Sequence, residues 1–160
     1  MKPLLYVGLV LGLIPIQTTV LEHLSVAGVR PDLCLIAVSL IGLFGGLSDG
    51  VKMGVLLGFE QDLFSAGDMW VNAITKAAIG LSAGLVGRYV ARTTPATVLP
   101  MVLGLSVSSG IAFLFAGAGG QYTLTAVRTV LLPQAVFDSM VAIGLYWVLA
   151  ERFRKDDSLV

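Results

Sequence analysis

The stretch GVKMGVLLGFEQDLFSAGDMWVNAITKAAIGLSAGLVGR, residues Gly50 to Arg88, decides the fold. Two apolar segments meet at a short polar loop, and each carries ionisable residues on its loop-proximal side. Glu60 and Asp62 close the first segment, while Lys76 sits inside the second. Charges set among Leu, Val and Gly are costly in a bilayer, so they need partners or a function. Both segments also repeat Gly at four-residue spacing, as Gly50/Gly54/Gly58 and Gly80/Gly84. The stretch reads as a buried helical hairpin at the centre of a small membrane protein.

The rest of the chain agrees. Its 160 residues suit one domain. They are 56% hydrophobic and 12% charged, against about 25% charged in soluble proteins. Mean hydropathy is +0.91, and too few polar residues remain to cover a soluble surface. A net charge of zero says little about partners. The single cysteine, Cys34, excludes a disulfide framework and a cysteine-rich metal site and reads as a small buried hydrophobe. The apolar run after Lys2 and Pro3 continues to about Val20 without a small-residue cleavage site, so it reads as a first transmembrane helix.

Crossing about 30 Å of hydrocarbon takes about 20 helical residues, fewer inside a bundle. Six segments meet that requirement: Leu4–Leu21, Asp32–Leu47, Lys52–Phe64, Trp70–Val90, Val98–Ala116 and Leu131–Glu151. The second and third are short, and one long kinked element is the alternative there. The expected organisation is an all-α integral membrane domain over residues 1–151 and a short charged cytoplasmic tail over 152–160. Pro15 should kink the first helix, with Gln17, Thr18 and Thr19 placed to satisfy the freed carbonyls. Pro100 suits a first helical turn. GAGGQY (Gly117–Tyr122) reads as a flexible loop.

Orientation follows from the basic residues. Lys2, Lys52, Arg88, Arg92, Arg152, Arg154 and Lys155 fall on the side that holds both termini, and only Arg30 and Arg128 on the other. The termini are therefore expected in the cytoplasm and the loop Ser65–Met69 outside. Glu60 then lies about 6 Å below the outer end of the third helix, and Lys76 about 9 Å below that of the fourth. Either Glu60–Lys76 or Asp62–Lys76 is expected as an ion pair. Asp138 lies roughly 10 Å into the sixth helix, and Asn72, Thr75 and Lys76 share one face of the fourth.

An outer-half polar cluster results: Gln17, Glu60, Asp62, Asn72, Lys76, Gln134 and Asp138. It reads either as a cavity for a small solute or a partner's polar group, or as an internal network that sets helix register. Gly42/Gly46 and the central glycines, Gly50, Gly54, Gly58, Gly80 and Gly84, read as internal packing. Gly8 and Gly12, on the terminal helix, are better placed for a partner. Lone His23, beside Glu22, lacks a second ligand for a metal. Arg88 and Arg92 read as topology anchors near lipid headgroups, and Asp49 with Lys52 as a weak interfacial pair. No histidine falls in any span to activate a serine, so Ser106, Ser108, Ser109 and Gly110 read as a packing face. The reading is of a protein without catalytic, cofactor or metal residues and without a nucleic-acid patch.

Six short spans, inward termini and GFEQDLFSAGDMWVNA resemble the MreD family, the membrane subunit of the bacterial rod-shape (elongasome) complex. Pro31-Asp32 matches its Pro-Asp helix start, and Gly58, Asp62, Leu63 and Ser65 match its Gly-x-x-x-Asp-Leu stretch and small-residue loop. Leu132, Pro133 and Gln134, followed by Asp138, match the start of its final helix. Asp68-Met69-Trp70 stands where the family usually has a Gly. The resemblance covers most of the chain through short motifs. It implies a non-enzymatic scaffold of the bacterial inner membrane that binds the bitopic protein MreC. Together they would link cytoplasmic MreB filaments, indirectly, to a SEDS polymerase and its class B penicillin-binding protein, supporting peptidoglycan synthesis and rod shape. The family is also similar in fold to the substrate-binding subunits of energy-coupling-factor vitamin transporters, six-helix bundles with an outward ligand cavity. A transport subunit is therefore the competing expectation. Self-association is open in both.

Overall fold

The computed structural model describes residues 2–23, 29–64, 70–90, 93–116 and 127–156. Its regular elements are helices: α1 (Lys2–His23), α2 (Leu33–Gly45), α3 (Leu47–Phe64), α4 (Val71–Tyr89), α5 (Pro95–Ala116), a π-helical turn (Val127–Leu131) and α6 (Leu132–Asp156). Two helical stretches, Pro95–Leu114 and Val127–Val148, are long and apolar enough to cross a membrane. The fold is all-α.

The α3–α4 hairpin forms because glycine lets two backbones touch. Gly58 faces Asn72, Gly54 faces Lys76, Gly50 faces Gly80, and Leu47 faces Gly84, an antiparallel register that advances one helical turn per step. A Cβ on Gly54 would stand 2.8 Å from the Ala77 Cα, and one on Gly58 2.6 Å from the Ala73 Cα. No side chain fits there. Small residues at four-residue spacing allow this approach wherever burial of large side chains cannot drive pairing.

α2 seals the hairpin from one side. It is apolar all round and buried almost throughout, with Cys34, Leu35, Ile36, Val38, Leu40 and Leu43 in the core beside Met53, Leu57 and Ile79. A helix of this kind belongs inside a structure. It runs parallel to α4, bringing Gly42 against Gly80 and Leu43 against Gly87. The turn into α3 is the single residue Gly46 at φ 86, a left-handed conformation that glycine adopts without a Cβ penalty. α3 therefore starts at Leu47, earlier than the expected Lys52, and takes Asp49 into its first turn.

α5 and α6 form a second antiparallel pair, closed at one end by Gly110 against Leu131 and at the other by Tyr146, whose hydroxyl donates to the Thr93 carbonyl at 2.8 Å. Tyr146 also stacks on Phe44 of α2, centroids 5.9 Å apart. Pro95, not Pro100, occupies the first turn of α5; Pro100 lies within the helix. α6 stays helical through Asp156, past the expected Glu151. α1 packs on α2 and α3. Its Tyr6 hydroxyl donates to Asp49 at 2.9 Å, so Asp49 pairs with α1 rather than with Lys52, which is exposed. Thr19 donates to the Pro15 carbonyl, one turn beyond the carbonyl that Pro15 frees. The helix ends with Gln17, Asp32, Asp62, Lys76 and Asp138 all meet at one pole of the bundle.

Candidate polar site

Lys76 is the largest fully buried side chain among the described residues, with 0% exposure. Its ammonium lies 2.8 Å from Asp32 Oδ2 and 3.3 Å from Asn72 Oδ1. The ion pair is therefore Asp32–Lys76, which corrects the expectation of Glu60 or Asp62. The reason is helix direction. α2 and α4 run side by side the same way, so the N-cap residue of one reaches the second turn of the other.

Asp32 does three things at once. Its Oδ1 accepts from the Leu35 amide at 3.0 Å and caps α2; its Oδ2 takes Lys76; its own amide donates to Asp138 Oδ1 at 2.8 Å. Asp138, also 0% exposed, accepts from the Ser106 hydroxyl at 2.5 Å through its other oxygen. Four helices are joined: α2, α4, α5 and α6.

Asp62 works elsewhere on the same pole. Trp70, ahead of α4, is left-handed (φ 81) and supplies no side-chain cap. Asp62 takes over that duty from the end of α3, accepting from the Asn72 amide (3.0 Å), the Ala73 amide (3.0 Å) and Asn72 Nδ2 (2.9 Å). These amides are orphan donors of a helix start, where a carboxylate is favoured by both hydrogen bonding and the helix dipole. Asn72 then orients Lys76 through its Oδ1. Asp32, Asp62 and Asp138 share this pole with Lys76, and the N-termini of α2 and α4 add positive field.

Beside the network lies a cavity of about 390 Å³, lined by Gln17, Val29, Arg30, Pro31, Asp32, Gln61, Val130 and Gln134. A second space of about 340 Å³ adjoins it at Asp32, Val130 and Gln134 and runs toward Leu35, Ser109, Phe113 and Leu131. Buried oxygens of Gln17 and Gln61 have no hydrogen-bond partner, and neither has one Glu60 oxygen.

The expected cluster thus divides. Asp62, Asn72, Lys76 and Asp138 join the buried network; Gln17 and Gln134 line the cavity; Glu60 is half-buried and outside both. Asp32 and Ser106 are network members that sequence reasoning had placed elsewhere, one as a helix start and the other on a packing face. The N-cap signature Pro31-Asp32 on the lysine's own side of the chain was the available signal for Asp32. For Ser106 there was none. Among the described residues, no group of His, Cys, Asp and Glu is arranged to hold a metal ion.

Gly50, Gly54, Gly58, Gly80 and Gly84 are internal contacts, whereas a Cβ on Gly8 or Gly12 would meet nothing within 4 Å. Arg88 is exposed at the end of α4. The side chains of Thr18 and His23, the Ser65–Met69 and Gly117–Tyr122 loops and Arg92 lie outside the described residues. Comparison with known protein families, with curated proteins and with solved structures finds no match to this chain.

Proposed function

We propose that this chain is a six-span scaffold of the MreD type in a bacterial inner membrane, with both termini cytoplasmic. The observation that carries the membrane reading is an inverted polarity. Leu11, Phe64, Ile74 and Met140, on four different helices, are 67–72% exposed, while Lys76 and Asp138 are wholly buried. Lysine and aspartate are almost never fully buried without partners, and a continuous apolar exterior marks contact with another phase or protein. A surrounding bilayer accounts for both. The 13-residue α2 spans only about 20 Å, and its neighbours shield it from lipid.

The scaffold reading is supported by how the charged groups are used. Asp32, Asp62, Lys76 and Asp138 each bind another helix of the bundle, which makes them a lock on helix register. Of the motif residues, Asp32 and Asp62 belong to it, and Gln134 lines the adjoining cavity. Gly8 and Gly12 offer an open backbone face on which a single transmembrane helix of a bitopic partner can pack. An energy-coupling-factor-type transport subunit is the second reading, and the cavity at the polar pole favours it.

Affinity purification of the tagged chain from native membranes in mild detergent separates the two. Recovery of an MreC-like coiled-coil protein together with a SEDS polymerase and its penicillin-binding protein is the expected result. Recovery of a transmembrane coupling protein with paired ATPases instead would replace the scaffold with a transporter.

A further inference from the structure

The two adjoining spaces at the polar pole differ in chemistry, and that difference specifies a ligand. We propose that they form one cleft for an amphiphile with an uncharged, hydroxyl-rich head of the sugar or polyol class, the head in the larger lobe and the hydrocarbon in the smaller. The proposal rests on the membrane-bundle reading and is independent of which protein partners the chain has.

The larger lobe, about 390 Å³, is lined by Gln17, Gln61 and Gln134 with Arg30 and Asp32. Each carboxamide both donates and accepts, arginine only donates, and an ionised carboxylate only accepts. Hydroxyl groups are the ligand chemistry that uses all three. Charge points the same way. Asp32 is neutralised by Lys76 at 2.8 Å, so the wall mixes signs and has no large excess of either. A phosphate or an ammonium head would each meet a side chain of its own sign in this lobe, Asp32 or Arg30.

Gln17 Oε1 and Gln61 Oε1 are buried without a donor, a condition costly enough to be rare in folded proteins. Turning either side chain into the lobe lets it meet a ligand hydroxyl and removes that penalty. The smaller lobe, about 340 Å³, is floored by Leu35, Phe113, Leu114 and Leu131, a surface suited to an alkyl chain. Both volumes fall within the range of ordinary ligand cavities, roughly 300–1,000 Å³. Both lobes are lined by Val130 of the π-helical turn Val127–Leu131, together with Asp32 and Gln134. Such turns are rare and recur at functional sites. Here the widened turn drops Leu131 onto Gly110, where a Cβ would collide with its side chain, so the depth of the apolar lobe depends on a glycine.

The test uses the full chain in phosphatidylcholine nanodiscs and a photoreactive alkyl glucoside with a diazirine in its tail. Labelling is expected at Phe113–Leu114 and Val130–Gln134, suppressed by unlabelled alkyl glucoside and not by dodecylphosphocholine or free glucose. Gln61→Leu and Gln134→Leu should each lower it by about tenfold, the loss of one well-placed hydrogen bond, with labelling at exposed Met140 unchanged. Equal competition by dodecylphosphocholine would reduce the cleft to a site for any hydrocarbon and overturn the proposal. Competition by free glucose would overturn it in favour of a small solute, and labelling spread evenly over the apolar exterior would show no site. If a variant misfolds by circular dichroism, the competition arms on the unmodified chain decide. Alkaline carbonate extraction of native membranes separately tests the bundle reading: release of the chain would refute that reading whatever the labelling shows.

Discussion

The buried Asp32–Lys76 pair gives the sharpest prediction. Lys76→Met keeps the length of the side chain and removes its charge, leaving Asp32 buried beside Asp138 with no cation within bonding distance. Removing one partner of a buried pair costs about 3–5 kcal/mol, whereas replacing both by uncharged groups is often close to neutral. Asp32→Asn is the right second substitution, because Asn caps a helix about as well as Asp and preserves the 3.0 Å bond from the Leu35 amide in kind. The combined variant should therefore be more stable than Lys76→Met alone, with a coupling of about 2 kcal/mol or more. Reversible unfolding in mixed dodecyl maltoside and SDS micelles, followed by circular dichroism, measures all four corners of the cycle. Lys76→Met with Glu60→Gln serves as the contrast, since Glu60 is not bonded to the lysine; those two should add. Additivity of Asp32→Asn with Lys76→Met to within about 0.5 kcal/mol would refute the pairing, and coupling to Glu60 instead would restore the pairing expected from sequence depth alone.

Gly54→Ala and Gly58→Ala should each cost about 1–3 kcal/mol in the same unfolding assay, since the new methyl meets backbone at 2.8 Å or less; Gly8→Ala should lie within about 0.5 kcal/mol of zero or stabilise slightly. Gly8→Leu and Gly12→Leu should weaken recovery of the bitopic partner while leaving unfolding unchanged, and undiminished recovery with both would remove that face as the interface. Asp62→Ala strips the start of α4 of its cap at a cost of about 1–3 kcal/mol, and hydrogen exchange should accelerate first at the Asn72 and Ala73 amides; unchanged exchange there would show that other groups satisfy them. In a Cys34→Ala background, an impermeant maleimide applied to intact spheroplasts should label Trp70→Cys and spare Lys52→Cys, and the reverse pattern would invert the proposed topology.

The hairpin was legible because its signal is local. Four-residue glycine spacing on two adjacent segments marks the faces that meet, while the register that sets Gly54 against Lys76 is seen only in the structure. The start of α3 at Leu47, ahead of Lys52, was not legible. A helix break made by one left-handed glycine, Gly46, leaves no polar loop to mark it. The reach of Pro95 into the first turn of α5 was hidden in the same way, since Pro100 satisfies the same rule five residues later.

For the polar pole, sequence order supplied the depth of each ionisable group and its side of the bundle. From this follow a polar cluster at one end, the inclusion of Asp62, Asn72, Lys76 and Asp138 in it, and an interior role for the central glycines. Partner choice was not contained in that information. Depth is one coordinate, and Glu60, Asp62 and Asp32 all lie near the lysine along it. Only the packing of α2 parallel to α4 brings Asp32 to 2.8 Å from the ammonium, and only the end of α3 overhanging the start of α4 turns Asp62 into a cap. The chain by itself determined which ionisable residues, set among apolar ones, need partners; the tertiary structure decided which of them satisfy one another, because hydrogen bonds depend on lateral position and angle, which helix packing alone sets.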